Sequence, residues 1–180
     1  MQATPLLRRL GDRQPASRTI VVSFDTNAGL LRRLDVRVEL RLIRTHSPIA
    51  FVLDVLSTIV WLRRQRVQTV VDLEFFSKFS TLLSALSGAR VRIAFHLNDY
   101  WRHLLVTHPI YYNYYHHISE VYAEAAGRLG LAIDDPSMAR VNIGDSARAA
   151  VDRFLESHVP VVGELVGVNV NAGDLSLARR

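Results

Sequence analysis

Apolar and polar positions change period several times along this chain, and the changes mark its elements. Residues 67–73 (VQTVVDL) are β-branched and almost wholly apolar, the pattern of a strand buried on both faces. A mixed loop, EFFSKFS, follows at 74–80. Residues 81–88 (TLLSALSG) then run at helical spacing and stop on Gly88, and ARVRIAF at 89–95 is a second strand. Strand, loop, helix and strand make one parallel βαβ unit, in which ligands gather at the loop leaving the carboxyl end of the strand.

The flanking segments repeat this alternation. Residues 3–10 predict a short helix with Pro5 in its first turn, 18–24 a strand, and 25–34 a short helix capped by Asp25 or Thr26. In 36–43 Val36, Val38, Leu40 and Leu42 face one way while Arg37, Glu39 and Arg41 face the other, as in a half-exposed edge strand. Residues 47–66 predict a long helix opened by Ser47 and Pro48. Residues 103–110 hold a short strand, 117–131 an amphipathic helix ending at Gly130, and 131–144 a loop through Pro136. A helix over 145–158 and a strand beginning near 161 complete the order. The implied fold class is α/β: a doubly wound, mostly parallel, Rossmann-like sheet with helices on both faces. No strand precedes the first helix and no helix follows the last strand, so both ends look cut.

Composition changes this picture little. The 180 residues are 49% hydrophobic and 22% charged, an ordinary globular balance, and contain no cysteine, which excludes a disulfide scaffold and thiolate chemistry. The net charge of +5 favours an anionic partner without choosing one. Lys78 is the only lysine; the dominance of arginine reads as codon preference. The most apolar window, 48–61, is too short for a bilayer span and carries Asp54, so it reads as a buried helix. No Walker loop, GxGxxG or nucleophile elbow is present.

Three segments carry candidate chemistry. In EFFSKFS, Lys78 suits an anionic group, Ser77 and Ser80 suit hydroxyls or anionic oxygens near a helix N-terminus, and Glu74 suits sugar hydroxyls. Phe75, Phe76 and Phe79 read as core. Five of the seven histidines fall in the aromatic segment 96–117: His96, His103, His108, His116 and His117. His116 and Glu120 lie one helical turn apart, but no third ligand has metal spacing, so no metal is expected. Tyr111, Tyr112, Tyr114 and Tyr115 cannot all be buried without hydroxyl partners, and some should edge a cleft. The tail NAGDLSLARR follows a buried strand and has the small, hydroxyl and arginine residues that suit a diphosphate. Arg63, Arg64 and Arg66 are read as helix-terminal charges that could also rest on anionic lipid headgroups.

Four strings in order resemble the bacterial glycosyltransferase family 9, which includes the lipopolysaccharide heptosyltransferases. They are ATPLLRRL, VVDLEFFSKFSTLLSALSGARVRIAF, HHISEVYAEAAGRLGL and VGVNVNAGDLSLARR. The resemblance implies half of a two-domain GT-B enzyme: residues 1–157 as an acceptor-side domain, lacking its first strand, and 158–180 as the start of a donor domain. It implies acceptor binding by Glu74, Ser77, Lys78, Ser80, His116 and His117. It implies donor-nucleotide binding by Asn171, Asp174, Ser176 and Arg179. The family's general base lies in a Gly-Asp loop that would fall before Met1. Asp12 follows the helix, so its Gly-Asp takes no such role and no catalytic residue is assigned. The implied reaction moves a sugar such as heptose from a nucleoside-diphosphate sugar to lipopolysaccharide or a related glycan, with no cofactor and no metal. The implied setting is cytoplasmic, at most peripheral to the inner membrane, with no nucleic acid and with self-association open. As a fragment the chain is expected to be inactive. The competing expectation is a non-catalytic Rossmann-like domain that binds a glycan or a protein; a nucleotide-binding domain of other purpose is a third.

Overall fold

The computed structural model describes residues 2–13, 17–75, 77–96, 101–112, 115–158 and 166. The chain divides into two compact units, Met1–Asn142 and Ile143–Arg180. Within the first, helix α1 (Thr4–Gly11) precedes strand β1 (Ile20–Phe24), a 3-10 turn (Asp25–Asn27) and the one-turn helix α2 (Ala28–Leu31). Then follow β2 (Glu39–Ile43), α3 (Pro48–Arg64), β3 (Thr69–Asp72), α4 (Lys78–Leu86), β4 (Val91–His96), a 3-10 turn (Arg102–Leu104), β5 (His108–Tyr111) and α5 (Ile118–Arg128). The second unit holds α6 (Asp145–His158).

Every ladder between the described strands β1–β5 is parallel, as the strand–helix alternation predicts. β1 pairs with β2 from Ile20↔Glu39 to Phe24↔Ile43. β3 pairs with β4 from Thr69↔Val91, and β4 with β5 from Ile93↔His108 to His96↔Tyr111. The described strands thus form two parallel sheets, β1-β2 and β3-β4-β5, and not one continuous sheet. Both lie in the α/β layering expected. α1 and α5 pack on one face of the larger sheet, where Leu6, Ile93, Phe95, Ile110, Val121, Ala125 and Ala126 form the buried core. α3 packs on β2 and α4 on β3 and β4.

Several expectations are corrected. The helix after the 74–80 loop begins at Lys78, not near Thr81, because Ser77 caps it: its hydroxyl accepts from Ser80 N at 3.2 Å. Neither Asp25 nor Thr26 caps α2, which starts from Asn27 without a side-chain cap; Asp25 instead accepts from the Thr45 hydroxyl at 2.9 Å. Segment 131–142 is a strap more than a plain loop. Asp35 N donates to Arg140 O and Asn142 N to Arg33 O, while the Thr4 hydroxyl accepts from Ala139 N at 2.9 Å.

The largest correction concerns α3, expected to be buried. Only Thr58 and Leu62 are buried, Phe51, Val55 and Ile59 are half-buried, and Ile49, Val52, Leu53, Leu56 and Val60 lie exposed on an outer face. Arg41 of β2 donates to Thr58 Oγ1 and Ser57 Oγ, and Arg44 makes a two-pronged contact with Asp54 at 2.8 Å. These bonds turn the Asp54–Thr58 side of the helix toward β2, so Thr58 is fully buried. They also draw Arg41 away from the solvated strand face predicted for it, and its guanidinium lies 5.5 Å from the centre of the Trp61 ring on α3.

Candidate functional site

Because β3, β4 and β5 are parallel, their carboxyl ends share one edge of the sheet, and the loops after β3 and β5 meet there. The meeting is aromatic. The Phe75 ring lies 4.5 Å from Phe95, 4.9 Å edge-on from Tyr112 and 5.5 Å from Tyr122. Phe79 packs instead on Phe24 at 5.8 Å and Phe51 at 5.3 Å. Phe75 packs against the core as expected, while Phe79 is half-buried against Phe24 and Phe51; Phe76 lies outside the described residues.

Under this edge is a polar knot centred on Asp72 and Arg102, neither of them among the predicted site residues. Asp72 ends β3 and is buried. Its Oδ1 accepts from Glu74 N at 3.1 Å, and its Oδ2 accepts from the hydroxyls of Ser80 at 2.9 Å and Thr81 at 3.3 Å. Arg102, 1% exposed, donates from Nε to Thr81 Oγ1 at 3.1 Å and from Nη1 to Phe75 O at 2.7 Å. Its Nη2 stands 3.9 Å from Asp72 Oδ2. Burial pushes the Asp72 carboxyl above its usual range, while the Ser80 hydroxyl, the Glu74 amide and the Arg102 charge pull it back. The knot ties the backbone of Glu74, Phe75 and Ser77 to β3 and α4.

Two of the predicted site residues belong to that scaffold. Ser77 Oγ accepts from Ser80 N as the α4 cap, and the Ser80 hydroxyl donates to Asp72 Oδ2. Glu74 and Lys78 are exposed, and neither side chain has a hydrogen-bond or ion-pair partner among the described residues. Glu74 is close enough to Tyr122 that its charge, after burial, raises the Tyr122 hydroxyl above its usual range. Lys78 stands in the first turn of α4, where backbone N–H groups also point outward.

The loop after β5 supplies exposed groups to the same edge. Tyr111 is 67% exposed and meets His96 edge-on at 5.6 Å. Tyr115 is exposed as well, while Tyr112 is half-buried against Phe75. His117 caps α5, its Nδ1 accepting from Ser119 N at 3.3 Å. His116 lies 3.4 Å from Glu120. The five histidines are not one cluster: His108 opens β5 at the far end of the sheet from His96 and Tyr111. Among the described residues no group of three potential ligands could hold a metal. Tyr114, Asn171, Asp174, Ser176 and Arg179 lie outside the described residues.

The edge therefore offers an exposed carboxylate, an exposed ammonium group and exposed aromatic rings on a rigid support. Such a set can bond hydroxyls, pair an anionic substituent and stack on a sugar ring.

No protein-family profile matches the chain, and no curated protein sequence matches it. Solved structures do. A glycosyl transferase family 9 structure from Veillonella parvula superposes with a TM-score of 0.67 at 15% identity, over 89% of this chain and 46% of that one. The ADP-heptose lipopolysaccharide heptosyltransferase II of E. coli superposes with a TM-score of 0.58 at 17% identity, over 85% of this chain and 46% of that one. The chain spans about half the length of these structures, and its fold is the α/β, Rossmann-like half of the GT-B architecture.

Proposed function

We propose that this chain is the acceptor-side half of a family 9 glycosyltransferase. The observation that carries the reading is the superposition on the Veillonella enzyme over 89% of the chain. The substrate pair it suggests is a nucleoside-diphosphate sugar, an ADP-heptose by likeness to the E. coli structure, and a lipopolysaccharide or related glycan acceptor. The chemistry is direct displacement at the anomeric carbon. A base takes the proton from the acceptor hydroxyl, the oxygen attacks, and the diphosphate leaves with the bond electrons.

Within that reaction these residues bind and position. Lys78 pairs with a phosphate or carboxylate on the acceptor, helped by the outward N–H groups of the α4 N-terminus. Glu74 and His116 accept and donate bonds to sugar hydroxyls, and Tyr111 offers a ring face. Ser77, Ser80 and His117 fix the two loops through the bonds they already make. Asn171, Asp174, Ser176 and Arg179 are assigned to the donor diphosphate. Residues 1–157 form the acceptor side and 158–180 open the donor side.

Among the described residues none is assigned the role of base, and the 180-residue chain is expected to bind acceptor without transferring sugar. Incubation of the purified chain with a nucleoside-diphosphate heptose and a phosphorylated core oligosaccharide is expected to leave the donor intact. Saturable binding of the oligosaccharide alone is expected. Sugar transfer, or binding of donor with no affinity for the oligosaccharide, contradicts this assignment.

A further inference from the structure

Helix α3 carries its aliphatic residues on the outside. Ile49 is 74% exposed, Leu53 58% and Leu56 55%, with Val52 and Val60 close behind. Offsets of three and four put them on one face of the helix. Neighbouring α4 adds Leu82 and Leu86, both close to half exposed. Leu86 adjoins the end of α3, since Arg63 Nε donates to Leu86 O at 2.8 Å. Soluble monomers seldom leave so contiguous an aliphatic surface bare.

The stripe ends in arginine. Arg63 and Arg64 occupy the next helical positions after Val60, and Arg66 follows. Arg63, Arg66 and Arg90 line a cleft of about 820 Å³ with Gln68, Thr69 and Ser87. No acidic side chain lines it. Arg64, Arg66 and Arg90 are exposed and have no ion pair among the described residues. Asp54, the one carboxylate on α3, is held by Arg44. Aliphatic side chains in a row, bordered by uncompensated arginines, are the makings of an interfacial helix. A second copy seated on the same face would bring arginine against arginine, whereas lipid phosphate complements them.

We propose that the outer face of α3, with Leu82 and Leu86, lies flat on an anionic lipid surface, the aliphatic stripe entering the headgroup layer and Arg63, Arg64, Arg66 and Arg90 meeting its phosphates. The inference rests on α3 and its arginines, and stands or falls independently of the glycosyltransferase reading. Among the described residues no helix is long and apolar enough to cross a membrane, so the contact is with one leaflet.

Co-sedimentation of the full chain with vesicles tests this. Vesicles of phosphatidylcholine with phosphatidylglycerol should carry the protein down, and vesicles of phosphatidylcholine alone far less. Leu53→Glu with Leu56→Glu, at exposed positions, should abolish sedimentation. Arg64→Gln and Arg90→Gln, which break no bond among the described residues, should each weaken partition about fivefold, the effect of one basic residue at an anionic surface. Sedimentation no greater with anionic than with neutral vesicles overturns the proposal. So does anionic binding that survives the glutamate pair and both glutamine variants, or a vesicle-indifferent dimer that the glutamate pair disperses.

Discussion

Arg102 donates from Nη1 to the carbonyl of Phe75 at 2.7 Å, so the chain before β5 clamps the loop that leaves β3. The same guanidinium reaches Thr81 in α4 and stands 3.9 Å from Asp72. Arg102→Met keeps the volume but leaves Asp72 buried without a nearby cation and the Phe75 carbonyl without its donor. Breaking a buried pair this way costs about 3–5 kcal/mol. Urea unfolding should show that loss, and amide exchange at residues 73–77 should rise with it.

Ser77 caps the α4 N-terminus, its hydroxyl oxygen accepting from Ser80 N. Ser77→Ala should lower stability by about 1 kcal/mol, and Ser77→Gly by only a few tenths. Glycan affinity should change little in either variant once the protein is folded. A large loss of affinity with unchanged stability would make Ser77 a ligand contact instead.

Two aspartates should give opposite pH responses. Arg44 holds the Asp54 carboxyl far below its usual 3.8, chiefly through their hydrogen bond. A lowered folded value stabilises the fold above pH 3.8, and that contribution is lost as pH falls further. Asp72 is raised by burial, so its ionised form opposes folding. As pH drops from its raised value toward 3.8, that opposition fades and the fold gains stability. Denaturation followed from pH 7 down to the acid limit of the fold should lose the decline below pH 3.8 in Asp54→Asn and the mildly acidic gain in Asp72→Asn.

Gly11 touches the backbone of Arg37: a Cβ there would lie 2.8 Å from the Arg37 carbonyl oxygen. Gly11→Ala must therefore shift backbone, at a cost of about 1–3 kcal/mol. Gly127, inside α5, has nothing within 4 Å of a built Cβ. Gly127→Ala should stabilise by roughly 1 kcal/mol through helix propensity. Thermal unfolding of the two variants should move in opposite directions.

The strand–helix alternation and parallel pairing were legible because buried parallel strands and their helices carry distinct periods. α6 falls at 145–158, as its pattern predicts. The loop after β3 was legible as a place: Glu74 and Lys78 are exposed there, beside chain from the β5 loop. Its support was not. Arg102 sits in a segment whose tyrosines and histidines drew attention, and nothing in its spacing ties it to Asp72, thirty positions earlier. The one available signal was an aspartate closing an apolar strand, which needs a partner from somewhere. The outward face of α3 was hidden for a similar reason. Hydropathy along residues 48–61 says the helix is apolar, but Arg41 on β2 and Arg44 just after it decide which side turns in.

The central claim is that the exposed groups between β3 and α4 receive an anionic glycan, with Lys78 supplying the charge. Calorimetric titration of a phosphorylated core oligosaccharide into the parent chain and into Lys78→Ala tests it most directly. Saturable binding by the parent, at least tenfold weaker in Lys78→Ala and largely kept in Lys78→Arg, is the expected result. Equal affinity in all three, or no binding by the parent, would contradict it.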